Sequence, residues 1–262
     1  MTLEPNVVRQ LAEYLENAEL EARAVTKITD AHPRIDHDDA YAIQAEIRRR
    51  KESRGHKIAG LKAGLTSRAK MKQMGVEVPV FGLIFDYMSV ADGGEIDASK
   101  LIHPKVEAEI AFVLKRPLRG PGCHIGAVLA ATDFVVPAVE IIDSRYENFR
   151  FDLTSVIADN TSSSRFVVGG VARSVEGLDL RTLGLVMEKN GEIVAMAAGA
   201  AVLGHPAAAV AQLANHLAAR GEEIPAGTFI MSGGATEAIP VAKGDAIHVR
   251  FQDLGSVSMR FV

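Results

Sequence analysis

Cysteine is nearly missing: Cys123 stands alone in 262 residues, so no intrachain disulfide can form and a reducing cytoplasm suits the chain. It sits in Gly120-Pro121-Gly122-Cys123-His124, where sequence neighbours do not make a catalytic pair, and an incidental thiol is expected. Also missing is any apolar run near the ~18–20 residues that a bilayer-spanning helix needs. The first residues lack a basic stretch followed by an apolar one, so no secretory leader is expected. Charge of one sign is scarce as well. The 29 basic and 33 acidic residues leave a formal net charge of −4. One basic run, Arg48-Arg49-Arg50-Lys51, falls on an expected helix and reads as a solvated face. Nucleic-acid binding needs a concentrated basic footprint and is not expected, and neither is a membrane role.

Several catalytic signatures fail too. Gly199-Ala200-Ala201-Val202-Leu203-Gly204 has the glycine spacing of a phosphate loop, but His205-Pro206 follow where Lys-Ser/Thr should stand. No Gly-x-Gly-x-x-Gly opens a strand–helix unit, and no Gly-x-Ser-x-Gly elbow occurs.

What is present is an ordinary globular composition, 48% hydrophobic and 24% charged, long enough for a sizeable core. Residues 4–24 carry Val8, Leu11, Leu15, Ala18 and Ala22 at three- and four-residue steps, which predicts an amphipathic helix. A second helix is expected from Asp36, with Ala40, Ile43 and Ile47 on one face and Gly55 as its stop. From Lys57 the texture becomes short β-rich runs broken by glycine. Leu185–Glu188 and Glu192–Val194 flank Lys189-Asn190-Gly191 and predict a hairpin. A later helix opens at Pro206, shows Val210, Leu213 and Leu217, and ends at Gly221; strands at 246–251 and 256–261 close the chain. Strands and helices do not alternate regularly, which argues against a doubly wound sheet. The expected class is α+β, with a helical region at 1–56 followed by a mixed-β domain at 57–262.

The informative segment is Lys105–Leu114. Val106, Ala108, Ile110, Phe112 and Leu114 fall on one strand face and Glu107 and Glu109 on the other. One reading is a solvated face. The other follows from Ala111 and Val113, which continue the acidic face as apolar residues: a strand buried on both sides with two acids in it calls for a compensating charge. Phe134–Asp143 repeats the pattern, with Glu140 near the end of an apolar strand. Three carboxylates in apolar strands suit a hard dication with oxygen ligands, Mg²⁺ or Mn²⁺, better than zinc, because no His or Cys lies at ligand spacing. His103, the nearest, precedes Pro104 and reads as a loop residue. Lys62 is flanked by glycines in Gly60-Leu61-Lys62-Ala63-Gly64-Leu65-Thr66-Ser67, at the end of a strand and before a short helix that Thr66 or Ser67 can cap. A surface lysine and one that meets a substrate carboxylate or enolate both fit that placing. Asp159–Ser164 and Ser232–Thr236 are polar loops beside β runs; alone they read as turns.

Together, Glu107-Ala-Glu109, Glu140 in Val-Glu-Ile-Ile-Asp-Ser-Arg, and Lys62 in Gly-Leu-Lys-Ala-Gly-Leu-Thr-Ser resemble the fumarylacetoacetate hydrolase superfamily, in its hydratase/decarboxylase branch. Glu16–Leu20, Ala158-Asp159-Asn160 and Gly204-His205-Pro206 extend the resemblance over nearly the whole chain. The resemblance implies a mixed β-sheet roll of that superfamily's C-terminal-domain type, a Mg²⁺ or Mn²⁺ site at Glu107, Glu109 and Glu140, a catalytic Lys62, and a homo-oligomer. Hydratases of the branch carry an acid in a Pro-Asp-Tyr/Phe-Gly context; here Val78-Pro79-Val80-Phe81-Gly82 puts Val80 in its place. An apolar valine cannot position water. The implied activity is therefore metal-dependent decarboxylation of 2-oxo-3-hexenedioate to 2-hydroxypenta-2,4-dienoate and CO₂, in meta-cleavage breakdown of aromatic compounds. The alternatives are hydration of 2-hydroxypenta-2,4-dienoate and hydrolysis of an acylpyruvate. That last reaction needs a His–Glu arrangement, for which Glu19 or Glu46 with His32 or His37 are the candidates. The substrate, a small 2-oxo dicarboxylic acid, is expected to meet Leu65, Thr66, Val80, Asp159, Ser162 and Thr236. A complex with the hydratase that consumes the dienol is a further implication.

Overall fold

The computed structural model describes residues 3–67, 71–72 and 79–262. Val78, and most of the short helix expected after Ser67, lie outside the described residues.

Helix α1, Pro5–Leu20, starts with proline in its first turn and buries Val8, Leu11, Leu15 and Ala18. It ends short of the expected residue 24. Arg23 N–H donates to Ala18 O and Ala22 turns left-handed at φ 47°, a Schellman-type stop without glycine. The chain beyond is drawn off by a bridge from Val25 to Tyr146. After α2, Ile28–Ala31, helix α3 runs His37–Ser53. Asp36 caps it reciprocally with Asp39, and Gly55 at φ 92° stops it. Ala40, Ile43 and Ile47 pack on the α1 stripe and share a core with Val80, Tyr146 and Ile157, which seats the helices on the β-rich body.

Among the described residues the strands form two sheets. The first orders β2 (Val80–Phe85), β1 (Ile58–Gly64), β10 (Phe229–Met231), β5 (Lys105–Leu114), β6 (Thr132–Ile142), β7 (Ser163–Val168) and β3 (Ser89–Val90), with β11 (Ile239–Pro240) on the end of β5. It is mixed: β1 pairs β10 parallel, whereas β10–β5, β5–β6 and β6–β7 are antiparallel. The second orders β4 (Gly94–Ile96), β13 (Gly255–Phe261), β12 (Ala246–Phe251), β8 (Gly184–Lys189) and β9 (Glu192–Ala198). The expected β8–β9 hairpin turns at Asn190 and Gly191, both left-handed at φ 56° and 85°, as its two-residue loop requires.

The main core contains Val106, Ala108, Ile110 and Phe112 of β5, Val135, Val139 and Ile141 of β6, the inward residues of the second sheet, and the helix Pro206–Ala218. The opposite face of β5–β6 is apolar at one end, where Ala111, Val136, Ala138 and Met231 pack with Ile84 and Phe85. At the other end that face carries the acids.

Candidate active site

Register brings the acids together. In the β5–β6 ladder Glu107 faces Glu140 directly and Glu109 faces Ala138. Direct partners on one sheet face stand about 5 Å apart and diagonal ones are still within reach of long side chains. One carboxylate oxygen from each of the three residues falls within 4.8 Å of the other two, and all three residues are buried. Glu109 Oε2 accepts the Gly233 N–H at 2.7 Å, while Oε1 is buried without a hydrogen-bond partner. Burial, then the Glu140 charge, push the Glu109 carboxyl well above the ordinary range; burial also raises Glu140, against the opposing pull of Lys62. Acids so placed fit a hard dication, which would answer the orphaned oxygen and reverse the cost of clustering the charges.

The loop after β10 lies against this centre because it can. A Cβ on Gly234 would stand 2.7 Å from the Glu107 carboxyl carbon, and Gly233, at φ 100°, presses on Thr66. From the other side comes Lys62 in β1. Its Nζ lies 2.5 Å from Glu140 Oε1 and 3.0 Å from the Thr161 carbonyl oxygen, to which it donates. The Thr161 carbonyl is aimed by an unusual turn: Asn160, Thr161 and Ser162 are all left-handed, at φ 46°, 53° and 58°. Such backbone is costly away from glycine and persists only where its surroundings over-determine it. Here the Asn160 side chain exchanges two hydrogen bonds with the Leu83 backbone, at 2.8 Å each. Beneath it, buried Arg145 binds the Asp159 carboxylate and the carbonyls of Asp143, Asp159 and Ser163. Burial pushes the Asp159 carboxyl up to about 6 even against that guanidinium.

A cavity of about 210 Å³ opens over Glu107, Glu140 and Lys62, with Glu109 beneath its floor. Leu65, Thr66, Val80 and Ser162 line it. Asp159 and Thr236, expected beside them, face elsewhere: Asp159 holds Arg145, and Thr236 Oγ1 accepts the Ala108 N–H at 3.1 Å. The lining residues that went unforeseen include Lys105, Phe149 and Phe151. Lys105 was within reach of the alternation that picked out Glu107 and Glu109, since 105, 107 and 109 share a strand face. The phenylalanines come from a loop with no local signal. His103 stands behind Phe149, its ring 5.2 Å away, and its backbone N–H donates to Asp143. Cys123 is remote; its backbone pairs with the Asn215 side chain.

Comparison with known proteins agrees with this geometry. Residues 64–262 match the family model described as fumarylacetoacetate (FAA) hydrolase C-terminal. The chain is 66% identical over 261 residues to 4-oxalocrotonate decarboxylase of Pseudomonas sp. (strain CF600), covering 100% of this chain and 99% of the relative. It is 38% identical to 2-oxo-hept-4-ene-1,7-dioate hydratase of Escherichia coli, over 96% of this chain and 97% of that one. A solved structure of 4-oxalocrotonate decarboxylase from Pseudomonas putida G7, complexed with magnesium and adipate, is similar at a TM-score of 0.98 and 64% identity, covering 100% and 99% of the two chains.

Proposed function

Since the chain belongs to the fumarylacetoacetate hydrolase family, we propose that it is a magnesium-dependent carboxy-lyase that converts 2-oxo-3-hexenedioate to 2-hydroxypenta-2,4-dienoate and CO₂. The observation that carries this reading is the meeting of three buried carboxylates at one point beside Lys62 Nζ. The full-length likeness to 4-oxalocrotonate decarboxylase supports the substrate. A dicarboxylate also agrees with the adipate bound by that structural relative.

In this reading Glu107, Glu109 and Glu140 hold the ion. Held there, Mg²⁺ (or Mn²⁺) would supply Lewis acidity to the 2-oxo acid end of the substrate. The remaining work belongs to the chain. As the bond to the distal carboxyl carbon breaks, its electron pair moves along the conjugated carbons to the C2 oxygen, and the carboxyl departs as CO₂. Lys62 places its ammonium, fixed by Glu140 and the Thr161 carbonyl, where that negative charge collects, and Nζ supplies the proton that completes the enol. Fixed charge aimed at a developing anion is worth most where water is excluded. Leu65, Val80, Phe151 and Val156 form the apolar wall that does this. Taken as a unit, residues 57–262 carry the reaction and residues 1–56 brace it: Gln44 of α3 donates to the Phe81 and Ile157 carbonyls behind that wall.

The hydratase alternative lacks an acid at Val80, which is buried in the wall at 4% exposure. The hydrolase alternative needs a histidine beside Glu19 or Glu46; instead Glu19 binds Lys51 and Tyr87, and Glu46 binds Arg49. Placement in the cytoplasm, a homo-oligomeric assembly, association with the hydratase that consumes the dienol, and a role in meta-cleavage breakdown of aromatic compounds belong to the same proposal. No helix among the described residues is long and apolar enough to cross a membrane. The test is CO₂ release from 2-oxo-3-hexenedioate with and without chelator. Chelator-sensitive release is expected; water addition to the dienol without CO₂ release would replace this reading with the hydratase one.

A further inference from the structure

We propose that Lys105 selects a dicarboxylate, by pairing with the substrate carboxylate farthest from the Glu107–Glu109–Glu140 centre. The proposal takes from the function above that the 2-oxo acid end lies at that centre.

Lys105 projects from the same face of β5 as Glu107 and Glu109. Two residues along a strand are a step of about 6.6 Å, close to the length of an extended hexenedioate chain. A substrate whose 2-oxo acid end lies at that centre and whose carbons run along the strand therefore brings its far end to Lys105. Among the described residues lining the cavity, the cations are Lys62 and Lys105. Lys62 is engaged at the floor by Glu140 and Thr161. Lys105 is half-buried at the other side, its Nζ 4.0 Å from the centroid of the Phe149 ring. That ring is fixed in turn. Asn148 and Phe149 both adopt φ 57°, and His103 and Phe151 stand 5.2 and 5.9 Å from the ring. Left-handed backbone at two successive non-glycine residues is a cost, spent here on holding an aromatic face against an ammonium. An ammonium already ordered by a ring loses little further freedom when an anion arrives.

A second carboxylate that comes to rest at this half-buried end needs an opposite charge beside it, and Lys105 stands there. The reaction also dictates what such a pair does. The distal carboxylate loses its charge as it becomes CO₂, so the ion pair is stronger with bound substrate than in the transition state. Lys105 thus acts in selection rather than in rate.

The test uses the magnesium-loaded full chain and two probes, 2-oxoadipate and 2-oxohexanoate. They share the chelating end and differ only in the distal carboxylate. Wild type is expected to prefer 2-oxoadipate. In Lys105→Met calorimetry should show 2-oxoadipate binding weakened about tenfold, the size of one charge-assisted hydrogen bond, with 2-oxohexanoate changed less than twofold. Lys105→Arg keeps the charge and should restore most of the difference. With 2-oxo-3-hexenedioate the loss should fall on KM and not on kcat. Equal weakening of both probes, unchanged 2-oxoadipate affinity, or no preference in wild type overturns the proposal. Neither probe is decarboxylated, so a failure of selection and a failure of the decarboxylase reading are separately visible.

Discussion

Glu109→Gln separates the ion-binding role of the acids from any role in holding the fold. Glu109 is fully buried; its Oε2 takes the Gly233 N–H, and its Oε1 is without a hydrogen-bond partner in the acid cluster. Glutamine keeps the volume and, through its carbonyl oxygen, the bond from Gly233. It removes one of three charges facing the ion. Outer-shell changes alone cost 10- to 100-fold in metal affinity, so losing a ligand charge should cost at least about a hundredfold. A ligand at a hundred times its Kd stabilises the folded state by ~2.7 kcal/mol, and the same concentration offers a variant bound a hundredfold more weakly ~0.4 kcal/mol. In a chain of this size that is a magnesium-induced rise in Tm of roughly 5–10 °C for wild type and about 1 °C for the variant. The metal-free proteins should melt together, or the variant higher, because burial and the Glu140 charge already hold the Glu109 carboxyl well above its ordinary range. Thermal melts of both proteins across a magnesium titration read every term. A variant that melts much lower without metal, yet keeps the full magnesium shift, would refute the reasoning.

Other perturbations address neighbouring links. Lys62→Ala should keep magnesium affinity, since it removes a cation beside Glu140, but lose about 10²–10³ in kcat, the range for one fixed group at a developing anion; near-normal turnover would remove the lysine from the chemistry. Val80→Asp places a carboxylate in the apolar wall and should slow CO₂ release at least about tenfold, because a buried unpaired charge is costly; parallel assays of CO₂ and of water addition check it, and unimpaired CO₂ release would show that the wall does not matter. In Glu19 burial raises the carboxyl, but the Lys51 and Arg145 charges and the bonds from Lys51 and Tyr87 outweigh it and hold it at about 2, below its ordinary 4.5. A depressed acid contributes stability present above its unfolded value and lost as pH falls from there towards 2, up to about 3 kcal/mol here. Burial lowers the Lys51 ammonium at the same time and offsets part of the gain. Chemical denaturation of wild type and Glu19→Gln should therefore converge on acidification through that window; a constant gap would contradict the assignment.

Local chemistry made much of this legible in advance. The start of α3 at Asp36, the Asn190-Gly191 turn and the alternation of β5 are set by residues within a few positions of one another. So is the two-faced burial of β5, which marked Glu107 and Glu109 as anomalous. That Glu140 joins them depends on the β5–β6 register, a nonlocal fact, and was readable only because a third acid broke a second apolar strand. The order of strands around them was not readable: a three-residue strand, β10, lies between β1 and β5, and nothing near residue 229 announces it. Asp159 and Thr236 show the same limit from the side-chain end. Both sit in polar loops next to the cavity, and only tertiary contact reveals that one serves Arg145 and the other a strand backbone. The left-handed turn at 160–162 had no glycine to mark it, because its conformation is imposed by Leu83 and Thr161's bond to Lys62.

The most direct measurement is anomalous diffraction from crystals of this protein grown with Mn²⁺. The account predicts one strong peak within direct coordination distance, roughly 2.0–2.5 Å, of a carboxylate oxygen of each of Glu107, Glu109 and Glu140, facing the cavity below Lys62. A peak elsewhere, or one touching a single carboxylate, would contradict it.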